Sequence, residues 1–136
     1  MDSQRPTREG PVSPSVTISN SIVRLYRTHF GRGPTKTRVI LQGDLVAVLL
    51  EDVLTTAERT LVESGHSQQV STQRTLLQYA LADQFASAVE EATGRTVRMF
   101  VSGVNAEASS ASELFALEPE PGDDDSSRFD GGPRNG

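Results

Sequence analysis

The sequence predicts an α+β domain: a four-stranded antiparallel sheet with helices packed on it, in the order α-β-β-α-α-β-β. Three observations carry that prediction. Two pairs of adjacent segments alternate or run apolar around turn signals, which is the pattern of two hairpins. Between and before them, apolar residues recur at spacings of three and four, the period of a helix with one buried face. The chain has 136 residues, enough for one domain.

The first helix is marked by Ile18, Ile22, Leu25, Tyr26, His29 and Phe30 on one face, and starts at about Ser15–Ser19. Gly31 suits the left-handed position after a helix, and Gly33-Pro34 forbids continuation. From Lys36 to Gln42 the chain alternates, Val39 and Leu41 on one face and Arg38 and Ile40 on the other. Gly43-Asp44 is a two-residue turn with Gly first, suited to a type II′ hairpin. Leu45 to Leu50 is apolar throughout and reads as a central strand covered on both faces. Something must then pack on each side of the sheet, or the second face forms an interface; a homo-oligomer is expected on that ground.

Thr55-Thr56-Ala57-Glu58 fits a capping box, opening a short helix that ends near Ser64 and Gly65, with Leu61 and Val62 as its apolar contacts. The strongest helical signal follows. Counting from Leu77, apolar residues stand at Ala80, Leu81, Phe85, Ala88, Val89 and Ala92, which predicts one long helix from about Val70 to Thr93, stopped by Gly94. A strand over Thr96–Val104, a polar connection, and a short strand over Glu113–Leu117 complete the second hairpin.

Charge is unevenly distributed. From Glu118 onward there are six acids and two bases, while residues 15–117 hold ten acids and nine bases. The tail, 118–136, and the arm, 1–14, are expected to be disordered, since neither has enough apolar surface to offset the entropy of ordering. The folded part is near neutral, so no nucleic-acid partner is expected. The longest apolar run, Leu45–Leu50, is far short of a membrane span, and Met1–Pro14 lacks the apolar stretch of a secretory signal. A cytoplasmic protein without direct membrane insertion is expected. The chain has no cysteine, which excludes disulfides, thiolate metal sites and cysteine nucleophiles, and its two histidines give little for a metal site. No metal and no cofactor are expected.

Few residues suggest chemistry. Gly31-Arg32-Gly33-Pro34 offers backbone N–H groups and a guanidinium to an anion, but it follows a helix, where the dipole end is negative, so a cap and turn is the better reading. His29, on the apolar face, is read as a buried or half-buried structural residue rather than a general base, since no nucleophile or carboxylate stands at helical spacing from it. Glu58 is explained by its capping box. Arg74 puts a positive charge near the start of the predicted long helix, where it is mildly unfavourable, and this makes it a candidate for contacting a partner or an anion. Arg32, Arg74 and His29 are thus the candidate binding residues. No nucleophile elbow, phosphate-binding loop or metal spacing occurs, no catalytic residue is assigned, and an enzyme is not expected.

The ordered string Ile22-Val23-Arg24-Leu25-Tyr26, His29-Phe30-Gly31-Arg32-Gly33-Pro34, Leu54-Thr55-Thr56-Ala57-Glu58-Arg59-Thr60-Leu61, Arg74, Thr93-Gly94-Arg95-Thr96-Val97 and Glu113-Leu114-Phe115-Ala116-Leu117 resembles the MpsC-like domain family over about residues 17–117. Its Gly-x-Gly-Pro turn followed by Leu-Thr-x-x-Glu-x-x-Leu is the most specific part. The resemblance implies a companion of membrane components in a bacterial system for cation or inorganic-carbon transport, acting without catalysis as an accessory or regulatory domain and reaching the membrane through a protein partner. It implies no catalytic residues. The family positions are Gly31, Gly33, Pro34, Thr55, Glu58 and Arg74, and all but Arg74 already have a local structural reason. The alternative is a sensor of a small anion or nucleotide-type ligand using Arg32 and Arg74; a small enzyme ranks behind both.

Overall fold

The computed structural model describes residues 12–120. It contains α1 (Pro14–Phe30), β1 (Lys36–Gln42), β2 (Leu45–Glu51), α2 (Thr56–Glu63), α3 (Ser67–Ala80), α4 (Ala82–Thr93), β3 (Val97–Asn105) and β4 (Ser110–Leu117). The α+β class and the element order are as the sequence predicts, with the expected long helix divided in two. Most of the expected N-terminal arm and acidic tail lies outside the described residues. Their inner ends are engaged: Ser13 caps α1 and Pro14 is its first residue, while the Glu118 N–H donates to the Thr96 carbonyl.

Both hairpins form, and they join through their inner strands to give one antiparallel sheet in the order β1-β2-β4-β3. Gly43 closes the first hairpin with φ of 62°, a conformation open to Gly in the first turn position. Inward residues alternate along each strand: Val46, Val48 and Leu50 on β2, and Ala111, Glu113, Phe115 and Leu117 on β4. They meet Ile18, Ile22 and Tyr26 of α1 and Phe85 and Val89 of α4 in one core. An irregularity between Val97 and Met99 switches the face of β3, so that Val97 packs on the core while Met99 and Val101 point outward.

Two expectations are corrected, the unbroken long helix and the burial of His29, and the two alternatives for the second face of the sheet are reduced to one. The helices cover only one face of the sheet. β2 is central, as expected, but Leu45 and Leu49 on its other face are 46% and 38% exposed. The single helix over 70–93 breaks at Leu81, which takes φ −97° and ψ 9°. Its N–H is shared between the Leu77 and Gln78 carbonyls, and α4 then starts with Phe85 bonding back to Leu81. The break lets α3 pack over β3 while α4 lies against α1. No Gly or Pro marks it, and the apolar period runs through it. His29 is exposed rather than buried. Phe85 of α4 stacks on Tyr26, and Asp83 and Gln84 share a groove with Leu25. The start of α4 therefore lies level with Leu25 and Tyr26, and the last turn of α1 projects beyond it.

Candidate functional site

The residues singled out by the sequence converge on the segment that leaves β2, Asp52–Thr55. Asp52 sits in the left-handed region, φ 62°, and turns the chain toward α2. Gly31 caps α1 at φ 87°, its N–H donating to the Arg27 carbonyl, a conformation that a Cβ would strain. Gly33 packs closely on α1: a Cβ there would come within 3.1 Å of Arg27 Cγ, so the Arg27 side chain would have to shift. This tight turn, followed by Pro34, aims Arg32 at the segment. Its Nη1 donates to the Leu54 carbonyl at 3.1 Å and its Nη2 to Asp52 at 3.0 Å. Asp52 also accepts from Arg59 of α2, and that hydrogen bond, with Arg32 beside it, holds the Asp52 carboxyl below its usual range.

Arg74 approaches the same segment from α3. Its Nη2 donates to the Val53 carbonyl at 2.8 Å and to Glu58 Oε1 at 2.7 Å, and its Nε donates to Glu58 Oε2 at 2.9 Å. The guanidinium lies 4.3 Å from the centre of the Phe30 ring. The capping box is present in full: the Glu58 N–H donates to Thr55 Oγ1, and the Thr55 N–H donates back to Glu58. Partial burial acts to raise the Glu58 carboxyl, but the hydrogen bonds from Arg74 and Thr55 outweigh it and hold the group below its usual value. Two arginines far apart in sequence thus take the carbonyls of consecutive residues, Val53 and Leu54, which no strand partner would otherwise satisfy.

Arg74 has no exposed surface. Nor does it stand near a helix start, since α3 begins at Ser67 and leaves Arg74 in mid-helix. Arg32 retains partial exposure. His29 is not part of the constellation.

A second polar cluster, which the sequence reading missed, lies within the core. Glu113 of β4 is fully buried. Its Oε2 accepts from the Tyr26 hydroxyl at 2.6 Å and its Oε1 from Ser102 Oγ at 2.6 Å. Gln78 of α3 donates to Ser102 Oγ at 2.6 Å and to the Gly103 carbonyl at 3.0 Å. Desolvation pushes the Glu113 carboxyl up to about 7 against the hydrogen bonds from Ser102 and Tyr26, and burial beside Glu113 drives the Tyr26 hydroxyl far above its usual value. A signal for this cluster was present. Glu113 occupies an inward position between Ala111 and Phe115, and Arg74 and Gln78 follow Val70 at steps of four, the spacing of a buried stripe. A count of apolar residues alone passes over polar members of such a stripe.

Shallow depressions mark the surface of the helical side. The one between α2 and the β3–β4 turn, about 160 Å³, takes in Leu54, Arg59, Glu63 and Glu107. The one between α1 and α4, about 350 Å³, takes in Arg24, Asp83 and Glu91. Among the described residues no three His, Asp or Glu are placed to hold a metal ion, and no helix is long and apolar enough to cross a membrane.

With this geometry in hand, comparison with known families is decisive for kinship. The family described as "Na+-translocating membrane potential-generating system (MpsC)" matches residues 15–119. The chain belongs to the MpsC family. The MpsC match runs from the second residue of α1 to just beyond β4, so it takes in all eight elements but for Pro14. Both polar clusters are therefore inside the MpsC domain, while the acidic tail beyond residue 119 is outside the match. No curated protein and no solved structure matches the chain.

Proposed function

We propose that this chain is a non-enzymatic accessory or regulatory domain of a bacterial membrane system for cation or inorganic-carbon transport, acting from the cytoplasm and recruited through a membrane transport protein. The observation that carries the reading is the family match across the whole fold, under a description that names a Na+-translocating, membrane potential-generating system. The arrangement of the polar residues supports a role without catalysis. The arginines and carboxylates that the sequence singles out are engaged with one another and with backbone carbonyls, and Glu113 is enclosed by its donors. The sensor reading has less support, because Arg74 is fully enclosed and Arg32 is already bonded to Asp52 and Leu54.

The test is affinity purification of the tagged full chain from its native host in mild detergent. The expected result is co-purification of an integral membrane protein of cation or inorganic-carbon transport. Repeated recovery of the chain without any membrane protein counts against the proposal. A thermal-shift screen with bicarbonate, phosphate and nucleotides addresses the sensor reading, which requires a raised melting temperature.

A further inference from the structure

The sheet face turned away from the helices is apolar at its centre and self-complementary in size. On the two inner strands the in-register neighbours are Leu45 with Ala116, Ala47 with Leu114, and Leu49 with Ser112. Each pair joins one large and one small side chain, and the large member changes strand at the middle pair. The outer strands add Ile40 and Val101, 52% and 45% exposed, in the same row as Ala47 and Leu114. On β1 and β2 the charges of this face, Lys36, Arg38 and Glu51, sit together at the end remote from the Gly43 turn.

We propose that this face is a homodimer interface, with two copies stacked sheet on sheet about a two-fold axis running along the strands between β2 and β4. Such an axis carries each residue onto the position of its own in-register neighbour. Leu114 of one copy then stands over Ala47 of the other, Leu45 over Ala116, and Leu49 over Ser112. Large meets small at every central position, and the two layers close at even thickness. Shallow depressions of about 180 and 230 Å³ mark the small residues, one at Ala47 and Ser112 and one at Ser112 and Gly103, where side chains of the second copy are received. On the outer strands Arg38 faces Gly103 and Lys36 faces Asn105, so no like charges confront each other. The perpendicular two-fold axis, along the hydrogen-bonding direction, would instead lay the apolar rows on Lys36 and Glu51.

Aligned sheets stack about 10 Å apart with strands rotated by about 30°, which splays the outer strands and keeps the central pairs opposed. Four strands about 4.8 Å apart and seven residues at about 3.4 Å each give a face of roughly 19 by 23 Å. Two such faces bury on the order of 1,000 Å², at the lower limit for a specific interface, with an apolar centre and a polar rim. A reversible dimer of modest affinity is what that area supports. This inference stands apart from the proposed membrane partner and shares no test with it.

The experiment is sedimentation of the full chain over a concentration series, with three variants. Wild type is expected to pass reversibly from monomer to dimer. Ala47→Leu places Leu on Leu at two symmetric points and weakens the dimer by about tenfold or more, the cost of overpacking. Leu114→Ala weakens it by leaving a gap. The double variant Ala47→Leu/Leu114→Ala exchanges large and small and restores the dimer to within about threefold of wild type, a difference below ~1 kcal/mol. Thermal melts confirm that each variant folds. A chain that stays monomeric at about 1 mM overturns the proposal. So does a dimer that Ala47→Leu strengthens, as unspecific apolar association would, and so does a double variant no tighter than its single parents.

Discussion

Replacing Glu113 by Gln should remove a pH dependence from the stability of this domain. The carboxyl is buried, and its pKa is raised from 4.5 to about 7 in the folded chain. Between those values the native state holds a proton that the unfolded chain has released. The native state binds more protons there, so stability falls as pH rises through the window and levels off above about 7. At about 1.4 kcal/mol per pH unit, the loss from about pH 4 to about pH 8 is on the order of 3 kcal/mol. The side-chain amide of the Glu113→Gln variant cannot titrate. It keeps one acceptor oxygen for Tyr26 or Ser102, and its NH2 group confronts the remaining hydroxyl at a cost that does not vary with pH. Urea denaturation of both chains at a series of pH values gives the difference directly. Asp52 and Glu58, whose lowered pKa values act in the opposite direction below about pH 4, are present in both chains and cancel. The wild type should lose stability relative to the variant as pH rises, with the loss spread between the unfolded value of 4.5 and the folded value of about 7 and complete above it. A difference that is flat across the range, or one that grows in the opposite sense, refutes the reasoning.

Glu58→Ala strands the Arg74 guanidinium, which has no exposed surface and would keep only the Val53 carbonyl, and should cost about 3–5 kcal/mol by denaturation. Arg74→Met should cost less, because Glu58 retains partial exposure and its Thr55 hydrogen bonds, and a double-variant cycle should show the two sites strongly coupled. Thr55→Ala removes one half of the capping box and should cost about 1 kcal/mol, measured the same way. Gly31→Ala forces a Cβ into a left-handed cap and should cost about 1 kcal/mol although the added methyl meets no neighbour.

What was legible in the sequence is what depends on local pattern. Gly31 and Gly33-Pro34 end α1 where their backbone preferences require, Thr55 and Glu58 form the box their spacing announces, and Val39 and Leu41 face the core as their alternation demands. What was not legible depends on the third dimension. The break at Leu81 follows from α3 and α4 packing on different elements, and it interrupts no apolar period. His29 has the angular position of a core residue, yet it stands beyond the end of the helix that would cover it. The buried face of α3 was hidden because two of its members, Arg74 and Gln78, are polar, and their partners Glu58, Ser102 and Glu113 come from other segments. In the sequence Arg74 stands out as a residue without a local reason and reads as a partner or anion contact; its contacts are Glu58 and the Val53 carbonyl, brought to it by the fold.

The position of Glu113 also bears on how the sheet finds its alignment. Each hairpin has a short connection that sets its own register, whereas β2 and β4 are joined only through the whole helical excursion between Asp52 and Ser109, and no turn aligns them. Slipping β4, with β3 paired to it, by one residue against β2 would turn Leu114 inward and carry Glu113 to the open face, away from Tyr26 and Gln78. Apolar contacts oppose the same slip, since Phe115 and Leu117 would leave the core and Leu114 and Ala116 would replace them. The Tyr26 hydroxyl of α1 and the Gln78 amide of α3 meet the Glu113–Ser102 pair in one alignment only. The polar cluster thus works as a key cut for a single lock position, and an assembled sheet in which it is seated has its two halves correctly indexed.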